Sequence, residues 1–344
     1  MKPIVTFNAG SSSLKYAVFD GGLAQVLAGQ VAGYGPEALR AALVAIEAKG
    51  IVLQNSAGIG HRVVHGGTRY VAPIRVDEMI QNDLESLRKL APLHLPYGLG
   101  AMAALRQLAP DVPHIACFDT AVHAGRDDLY TRLPLPRGYH KRGYQRYGFH
   151  GLNYEHVVRE LPLQTGKPLP RRLLAAHLGN GSSMCAILDG ESVETTMGFS
   201  TADGLLMGTR TGAIDPGVLI ALMRDEGLDA VGLEDLLYRR SGLLGISGLS
   251  SDMRKLLASP APEAAEAVNA YCYQAARYAG SLAVAIGGID TIVFTGGIGE
   301  NAKEVRQKIL AQLSFFGVSA KDAHVVKANE ELTIARHVLT LLGE

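Results

Sequence analysis

Five polar side chains stand where apolar, strand-like runs end, and their types could handle an anion. They are Arg62 in GHRVVHGG, His94 in APLHLP, Asp119 in CFDTAVH, His150 in YGFHG and Arg210 in MGTRTG. Guanidinium and imidazole groups bind carboxylate and phosphate oxygens, and α/β proteins carry such chemistry at strand ends. Taken singly, each residue is more often part of a structural ion pair or a buried histidine bonded to the backbone.

Three glycine-rich stretches provide backbone that could surround a phosphate. NAGSSSLKY begins at Asn8, HLGNGSSMCAILDG begins at His177, and VFTGGIGEN runs through Gly296 into a helical pattern whose N-terminus would favour an anion. Small residues expose N–H groups and hydroxyls to phosphate oxygens, and Lys15 adds a positive charge. The alternatives are serine-capped β-turns and an ordinary strand-to-helix turn. The third spacing matches neither a dinucleotide fingerprint nor a Walker A loop.

Composition excludes several function classes. The chain has 344 residues, 47% of them hydrophobic, which is enough for a large core and two domains. Lys plus Arg and Asp plus Glu both number 33, so no net field attracts nucleic acid or an anionic membrane. Cys117, Cys185 and Cys272 lack the spacing of a disulfide framework or a zinc cluster. Without a signal-peptide pattern or an apolar run of bilayer length, we expect a cytoplasmic protein.

The elements that must position these residues follow from periodicity. Short β-branched runs alternate with longer helical patterns, which predicts a mixed α/β architecture. Helices are expected over residues 36–47, 76–89, 97–107, 153–160, 216–225 and 262–286. NAGSSSLKYAVFD and GNGSSMCAILDG share a plan of strand, Gly/Ser hairpin, strand and terminal Asp. The sequence therefore predicts two related domains, residues 1–150 and 151–330.

The ordered motifs together resemble the acetate kinase family over nearly the whole chain. They include NAGSSSLKY, GHRVVHGG, APLHLP, FDTAVH, YGFHG, HLGNGSS, MGTRTGAIDPG, SGLLGISGLSSDMR, FTGGIGEN and NEELTIAR. The resemblance implies the fold of the acetate and sugar kinase, chaperone and actin superfamily, in which two ribonuclease-H-like domains flank a nucleotide cleft. It also implies that the tail 331–344 returns to the first domain and that the second domain forms a homodimer.

Site roles follow from the resemblance, motif by motif. It implies that Mg²⁺, with Mn²⁺ as an alternative, is held by Asn8 and Glu330. The nucleotide phosphates would face Lys15, His177, Leu178, Gly179, Asn180 and Gly181. The adenosine would rest on Asp252, Met253, Arg254, Gly297, Ile298, Gly299, Glu300 and Asn301. Around the transferred phosphoryl group it implies Arg62, Asp119, His150 and Arg210. The acyl substrate would contact Arg62, Val64, Leu93, His94, Phe149 and Thr201.

Three departures from the family pattern bear on specificity. Thr201 stands where the family usually has a proline in the acyl pocket, so propionate is expected to be accepted about as readily as acetate if the hydroxyl points into the pocket. Met253 replaces an aromatic residue beside the nucleotide. The chain is shorter than typical members between Asp20 and Gly58 and between Asn301 and Asn329, so peripheral elements should be trimmed.

The resemblance implies the reversible reaction of ATP and acetate to ADP and acetyl phosphate. Propionate or butyrate as acceptor, or pyrophosphate as donor, are alternatives within the family. An actin-like ATPase switch and a scaffold are alternatives of other classes, but a switch has no use for a carboxylate clamp made by Arg62, His150 and Arg210. A carboxylate is already ionised at pH 7, so no general base is needed. Asp119 is therefore expected to orient Arg62 or Arg210.

Overall fold

The computed structural model describes residues 2–10 and 13–343. By internal contacts the chain divides into two compact units. Unit 1 comprises the N-terminal residues up to Ala124, Phe149–His156 and the C-terminal segment from Asn329, and unit 2 comprises Gly125–Gly148 and Val157–Ala328. The chain thus passes between the units more than once.

Unit 1 contains a six-stranded mixed sheet in the order β3-β2-β1-β4-β6-β5. Its strands are β1 (Ile4–Ala9), β2 (Ser13–Phe19), β3 (Gln25–Ala32), β4 (Gly58–Val63), β5 (Ile74–Arg75) and β6 (His114–Phe118). β1, β4 and β6 are parallel neighbours, and β1 and β2 form an antiparallel hairpin. Every residue of β1 and β6 is buried, as expected for strands covered on both faces.

Unit 2 contains a five-stranded mixed sheet in the order β11-β10-β7-β8-β9. Its strands are β7 (Arg172–Leu178), β8 (Ser182–Leu188), β9 (Glu191–Thr195), β10 (Thr291–Thr295) and β11 (Ala323–Val325). β7 and β8 form an antiparallel hairpin, and β10 lies parallel to β7. This hairpin with a parallel neighbour repeats the arrangement of β1, β2 and β4, which confirms the predicted architecture of two related mixed sheets.

The helices surround these sheets. The N-terminal ones are α1 (Pro36–Glu47), α2 (Glu78–Ser86), α3 (Leu95–Leu108), α4 (Asp128–Thr131), α5 (Arg137–Lys141) and α6 (Gly151–Thr165). Those that follow are α7 (Pro216–Asp225), α8 (Ala230–Arg239), α9 (Gly242–Ser247), α10 (Met253–Ala258), α11 (Pro262–Ile286), α12 (Gly296–Asn301), α13 (Lys303–Gln312) and α14 (Glu330–Leu342). None of the described helices combines the length and hydropathy needed to cross a bilayer.

Capping residues, prolines and glycines explain why the bounds of some helices were predicted correctly. α1, α7 and α11 have the predicted bounds, because each begins with proline in its first turn and α11 ends at Gly287 in the left-handed conformation. The helix predicted from residue 76 begins later, since the Asp77 carboxylate accepts the Ile80 N–H and caps α2. β3 was not predicted from the sequence; it is a largely exposed edge strand in which Gln25, Gly29 and Gln30 interrupt the apolar residues.

Candidate active site

The guanidinium of Arg62 lies against the carboxylate of Asp119 in unit 1. Arg62 is near the end of β4 and Asp119 directly follows β6, so the parallel pairing of these strands brings the two residues together. Arg62 Nε donates to both Asp119 oxygens at 3.0 Å, and Nη2 donates to Oδ2 at 2.5 Å. Asp119 is fully buried, while the Arg62 side chain keeps 16% of its surface exposed. Asp119 therefore holds one edge of the Arg62 guanidinium, the edge formed by Nε and Nη2.

Asn8 links this pair to the start of α14. Its Oδ1 accepts from Arg62 Nη1 at 3.1 Å, and its Nδ2 donates to Glu330 at 2.8 Å and to Glu331 at 3.0 Å. The Glu330 carboxylate also lies 4.0 Å from Arg62 Nε. The result is a connected network of one guanidinium, one amide and three carboxylates.

Burial and pairing act against each other in the protonation of this network. Burial alone would lower the pKa of Arg62, but Asp119 and Glu330 outweigh it and hold that pKa above its ordinary value. Burial raises the pKa of Asp119 to about 6, against the lowering effect of Arg62. Arg62 stays charged at any physiological pH, and Asp119 is mainly ionised at neutral pH.

The backbone around His150 is held against Asp119. His150 has a φ of 59°, a left-handed conformation that is unusual for a residue other than glycine and that costs of order 1–3 kcal/mol. The N–H of Gly151 donates to the Asp119 carbonyl oxygen at 2.9 Å. A side chain at Gly151 would place its Cβ 2.3 Å from that oxygen, so glycine is required for the approach. This contact fixes the backbone of His150 beside the Arg62 and Asp119 pair.

Apolar side chains predicted for the acyl substrate lie in the same unit. Val64 follows β4 directly and is buried, as is Phe149, whose ring meets the His65 ring edge-on at 5.5 Å. Burial lowers the pKa of His65 to about 4, so this imidazole is neutral at pH 7. Leu93 is half-buried, and His94 occupies the N-cap position of α3.

Lys15 is exposed on β2, directly opposite Asn8 in the antiparallel pair. It lines an open cavity of about 300 Å³ together with Gln30 and Glu331. The hydroxyls of Ser11 and Ser12, part of the first predicted glycine and serine hairpin, lie outside the described residues.

In unit 2 the two predicted glycine loops meet. The end of β7 carries His177 and Leu178, and Gly296 follows β10, the parallel neighbour of β7. Gly296 has a φ of 76°, and a Cβ there would lie 2.8 Å from the Leu178 carbonyl oxygen. Gly179 lies on the same side, close to the backbone nitrogen of Gly297. The structure therefore forms one continuous glycine-lined surface from two separate motifs.

Side chains predicted for the adenosine have different environments. Glu300 accepts the N–H groups of Gly296 and Ala328 at 3.1 and 2.9 Å through one oxygen, so its carboxylate is turned towards the protein. Met253 is buried in the core of unit 2. Arg254 is 85% exposed and pairs with Asp252, whose carboxylate caps α10. Gly297, Ile298, Gly299 and Asn301 belong to α12, and Asn301 donates to the Gly297 carbonyl oxygen.

Arg210 lies in a loop that is tied to the first glycine loop of unit 2. The Gly208 N–H donates to the Asn180 carbonyl oxygen at 3.1 Å, and a Cβ on Gly208 would collide with the Asn180 side chain. Arg210 Nη1 donates to the Thr201 carbonyl oxygen at 3.1 Å. Asn180, Thr201 and Arg210 thus belong to one connected group within unit 2.

Two residues of these networks were missed by sequence reasoning. Glu331 accepts from Asn8, and the signal that could have found it is its place beside Glu330 in NEEL. Arg146 in unit 2 donates to the carboxylate of Asp203 at 3.1 Å and to the Thr195 carbonyl oxygen at 2.8 Å. Arg146 is hard to single out from the sequence, because it is one of several basic residues in RGYHKRGYQRYGFH.

Fold and site together define the class. Two mixed sheets that repeat one hairpin arrangement, with helices around them and glycine loops at strand ends, constitute a two-domain actin-like α/β fold. The structure of Porphyromonas gingivalis acetate kinase matches with a TM-score of 0.88 and 29% identity, covering 99% of this chain and 100% of that chain. A propionate kinase structure from Francisella tularensis matches with a TM-score of 0.89 and 28% identity, covering 98% and 99%.

Sequence comparison identifies the family. The acetokinase family pattern matches residues 25–337. Acetate kinase of Rhodopseudomonas palustris is 46% identical over 306 residues, covering 83% of this chain and 77% of that protein. Acetate kinase of Methylocella silvestris is 39% identical over 398 aligned positions, covering 99% of this chain and 98% of that protein. The chain belongs to the acetokinase family.

Proposed function

We propose that this protein catalyses reversible transfer of the γ-phosphoryl group of ATP to the carboxylate of acetate. A carboxylate oxygen forms the new bond to phosphorus, the bond from phosphorus to the β,γ-bridging oxygen breaks, and acetyl phosphate and ADP result. The observation that carries the proposal is membership of the acetokinase family over nearly the whole chain, at 39% identity to an acetate kinase of similar coverage.

The arginine network supports the chemistry. Phosphoryl transfer spreads negative charge over the equatorial oxygens, so positioning and cationic stabilisation supply most of the rate enhancement. Arg62 uses one edge of its guanidinium on Asp119 and keeps a partly exposed remainder for an anion. We assign Arg62 and Arg210 to the substrate carboxylate and the transferred group, and His150 to donation to an equatorial oxygen. Asp119 orients Arg62 and removes no proton, because acetate is already ionised at pH 7.

The side-chain oxygens of Asn8 and Glu330 are of the type that Mg²⁺ binds. Mg²⁺ takes oxygen ligands and is commonly held by one or two carboxylates together with substrate phosphates. Among the described residues no three His, Cys, Asp or Glu side chains group as a metal site. One amide oxygen and one carboxylate form a small ligand set, which suits a metal that takes its further ligands from the nucleotide. When bound, Mg²⁺ or Mn²⁺ would neutralise phosphate charge, while Lys15, His177–Gly181 and Gly297–Asn301 would contact the nucleotide.

Propionate is the second candidate substrate. The matching Francisella tularensis structure is that of a propionate kinase, and Thr201 lacks the rigid ring of the proline expected from the family pattern. One methylene in an apolar pocket discriminates by only about 1–3 kcal/mol. The same active site would therefore accept both acids.

A homodimer is the proposed assembly, and the surface of unit 2 supports it. Every residue of α7 is at least partly exposed, although its sequence PGVLIALMRD is mostly apolar. Val218, Ile220 and Met223 are 43%, 63% and 49% exposed. Isolated exposed apolar residues are ordinary, but a whole apolar helix is typical of an interface. The occupant is a second copy of this chain, docked on α7.

The direct test supplies ATP, Mg²⁺ and each acid to the purified protein and traps the acyl phosphate as its hydroxamate. Acetate is expected to give hydroxamate in proportion to ADP, and pyrophosphate in place of ATP is expected to give none. ADP release without hydroxamate from any acid would refute acyl transfer and favour an ATPase switch. Hydroxamate from propionate alone would favour the second candidate.

A further inference from the structure

The turn around His150 is held on both sides by one short segment of unit 1. On the C-terminal side, the Gly151 N–H donates to the Asp119 carbonyl oxygen at 2.9 Å. On the N-terminal side, the Phe149 carbonyl oxygen lies 3.0 Å from Nε2 of His123. Asp119 and His123 both follow shortly after the end of β6. A left-handed residue such as His150 persists only where its surroundings determine its backbone, and these two contacts do so here.

The carbonyl partner fixes the tautomer of the His123 ring. A carbonyl oxygen only accepts, so Nε2 carries a hydrogen and donates it to Phe149. The His123 residue is 2% exposed, and its ring meets the Tyr154 ring edge-on at 5.7 Å. Phe149 is only 1% exposed, so water is not at hand to replace this donor. Loss of the bond would therefore leave a buried carbonyl oxygen unsatisfied.

The segment that carries His123 is anchored to β4, the strand of Arg62. The Asp119 N–H donates to the Val63 carbonyl oxygen at 3.1 Å, and the Thr120 hydroxyl accepts an N–H from the loop after β4 at 3.1 Å. The His123 N–H donates to the Thr120 carbonyl oxygen at 3.2 Å, which closes the turn. The imidazole of His123 therefore has a fixed origin from which it holds the neighbouring turn.

We propose that His123 is a positioning residue that sets the placement of the His150 imidazole relative to the Arg62 guanidinium. It acts through the Phe149 carbonyl oxygen and does not touch the substrate. The inference rests on the proposed function, in which His150 donates to the transferred phosphoryl group. Losing the bond releases the peptide between Phe149 and His150, and the backbone then relaxes towards the right-handed region that such a residue prefers, carrying the imidazole out of place.

The test compares His123→Gln with His123→Asn. The glutamine amide nitrogen takes the place of Nε2 and still donates to Phe149, whereas the asparagine nitrogen falls where Nδ1 lies and does not reach. At saturating ATP and acetate, hydroxamate trapping should show kcat lowered by about tenfold or more in His123→Asn and largely retained in His123→Gln. KM for ATP should not change in either variant, because most residues assigned to the nucleotide belong to unit 2.

A double-mutant cycle with His150→Ala separates positioning from a general loss of structure. If His123 acts through the His150 imidazole, His123→Asn has no further effect on kcat once residue 150 is alanine. A merely structural role would instead multiply the two effects. Urea unfolding checks that each variant is folded, and His123→Leu takes the place of His123→Asn in the cycle if the latter does not fold.

His114→Asn is the matched control. His114 is also a buried histidine, it begins β6, and its Nε2 donates to the Ala109 carbonyl oxygen at 3.1 Å. This variant should lower the urea midpoint and leave kcat unchanged. No hydroxamate from the wild type with any acid would refute the proposed function. The inference alone is wrong if the wild type is active but His123→Asn keeps its kcat, if its effect persists beside His150→Ala, or if His114→Asn loses as much kcat.

Discussion

Replacing Asp119 by Asn should uncouple Arg62 from its fixed orientation without changing the shape of the side chain. In the wild type, Arg62 Nε and Nη2 donate to a fully buried carboxylate at 2.5–3.0 Å. Removing one partner of a buried ion pair costs about 3–5 kcal/mol. Asparagine keeps one oxygen acceptor, and Arg62 keeps Asn8 at 3.1 Å and Glu330 at 4.0 Å. We therefore expect the free energy of unfolding to fall by about 2–3 kcal/mol.

If the orientation of Arg62 matters in the transition state, the weaker hold should also raise the activation free energy, and a rise of about 2–3 kcal/mol lowers kcat by roughly 30- to 150-fold. The assay is hydroxamate formation at saturating ATP and acetate, with urea unfolding measured in parallel. Asp83→Asn is the matched control, because Asp83 pairs with Arg69, whose side chain is 70% exposed. Exposed pairs contribute about 0–1 kcal/mol, so this variant should keep its activity.

The pH profile supplies a second readout of the same residue. Since the pKa of Asp119 is raised to about 6, acidification below that value protonates the carboxyl and weakens its hold on Arg62. The wild type should lose kcat as the pH falls through about 6, and Asp119→Asn should lack this acid limb. Near wild-type turnover in Asp119→Asn, or an equal loss in Asp83→Asn, would refute the orienting role.

Other substitutions test the remaining features. Glu300→Ala removes the acceptor for the Gly296 and Ala328 N–H groups, so it should raise KM for ATP by on the order of tenfold and leave KM for acetate unchanged. Glu300→Gln keeps an oxygen acceptor and should retain most of the affinity for ATP. Equal behaviour of the two variants would contradict this role of the Glu300 carboxylate. His65 is neutral in the folded protein, because its pKa is lowered to about 4, and it protonates more readily in the unfolded chain. Acidification from pH 7 to 4 should therefore lower the free energy of unfolding of the wild type by up to about 3 kcal/mol. Urea titration should show that His65→Asn does not undergo this loss. Ile220→Glu should shift sedimentation from dimer to monomer with folding intact, and an unchanged dimer would exclude α7 as the interface.

The amino-acid sequence by itself determined several of the local elements and the family. The bounds of α1, α7 and α11 could be predicted because apolar spacing and proline act within a few residues. The repeated hairpins could be predicted because glycine and serine between two apolar runs favour a tight turn. The ordered motifs carried the family resemblance for the same reason, since each motif is contiguous.

Tertiary structure alone decided which distant side chains meet. The sequence left open whether Asp119 lies beside Arg62 or Arg210, and the parallel pairing of β4 with β6 places it against Arg62. Glu300 sits inside a predicted nucleotide motif, yet its carboxylate holds two backbone N–H groups. Such outcomes depend on strand register and packing between segments far apart in sequence, which no local pattern encodes.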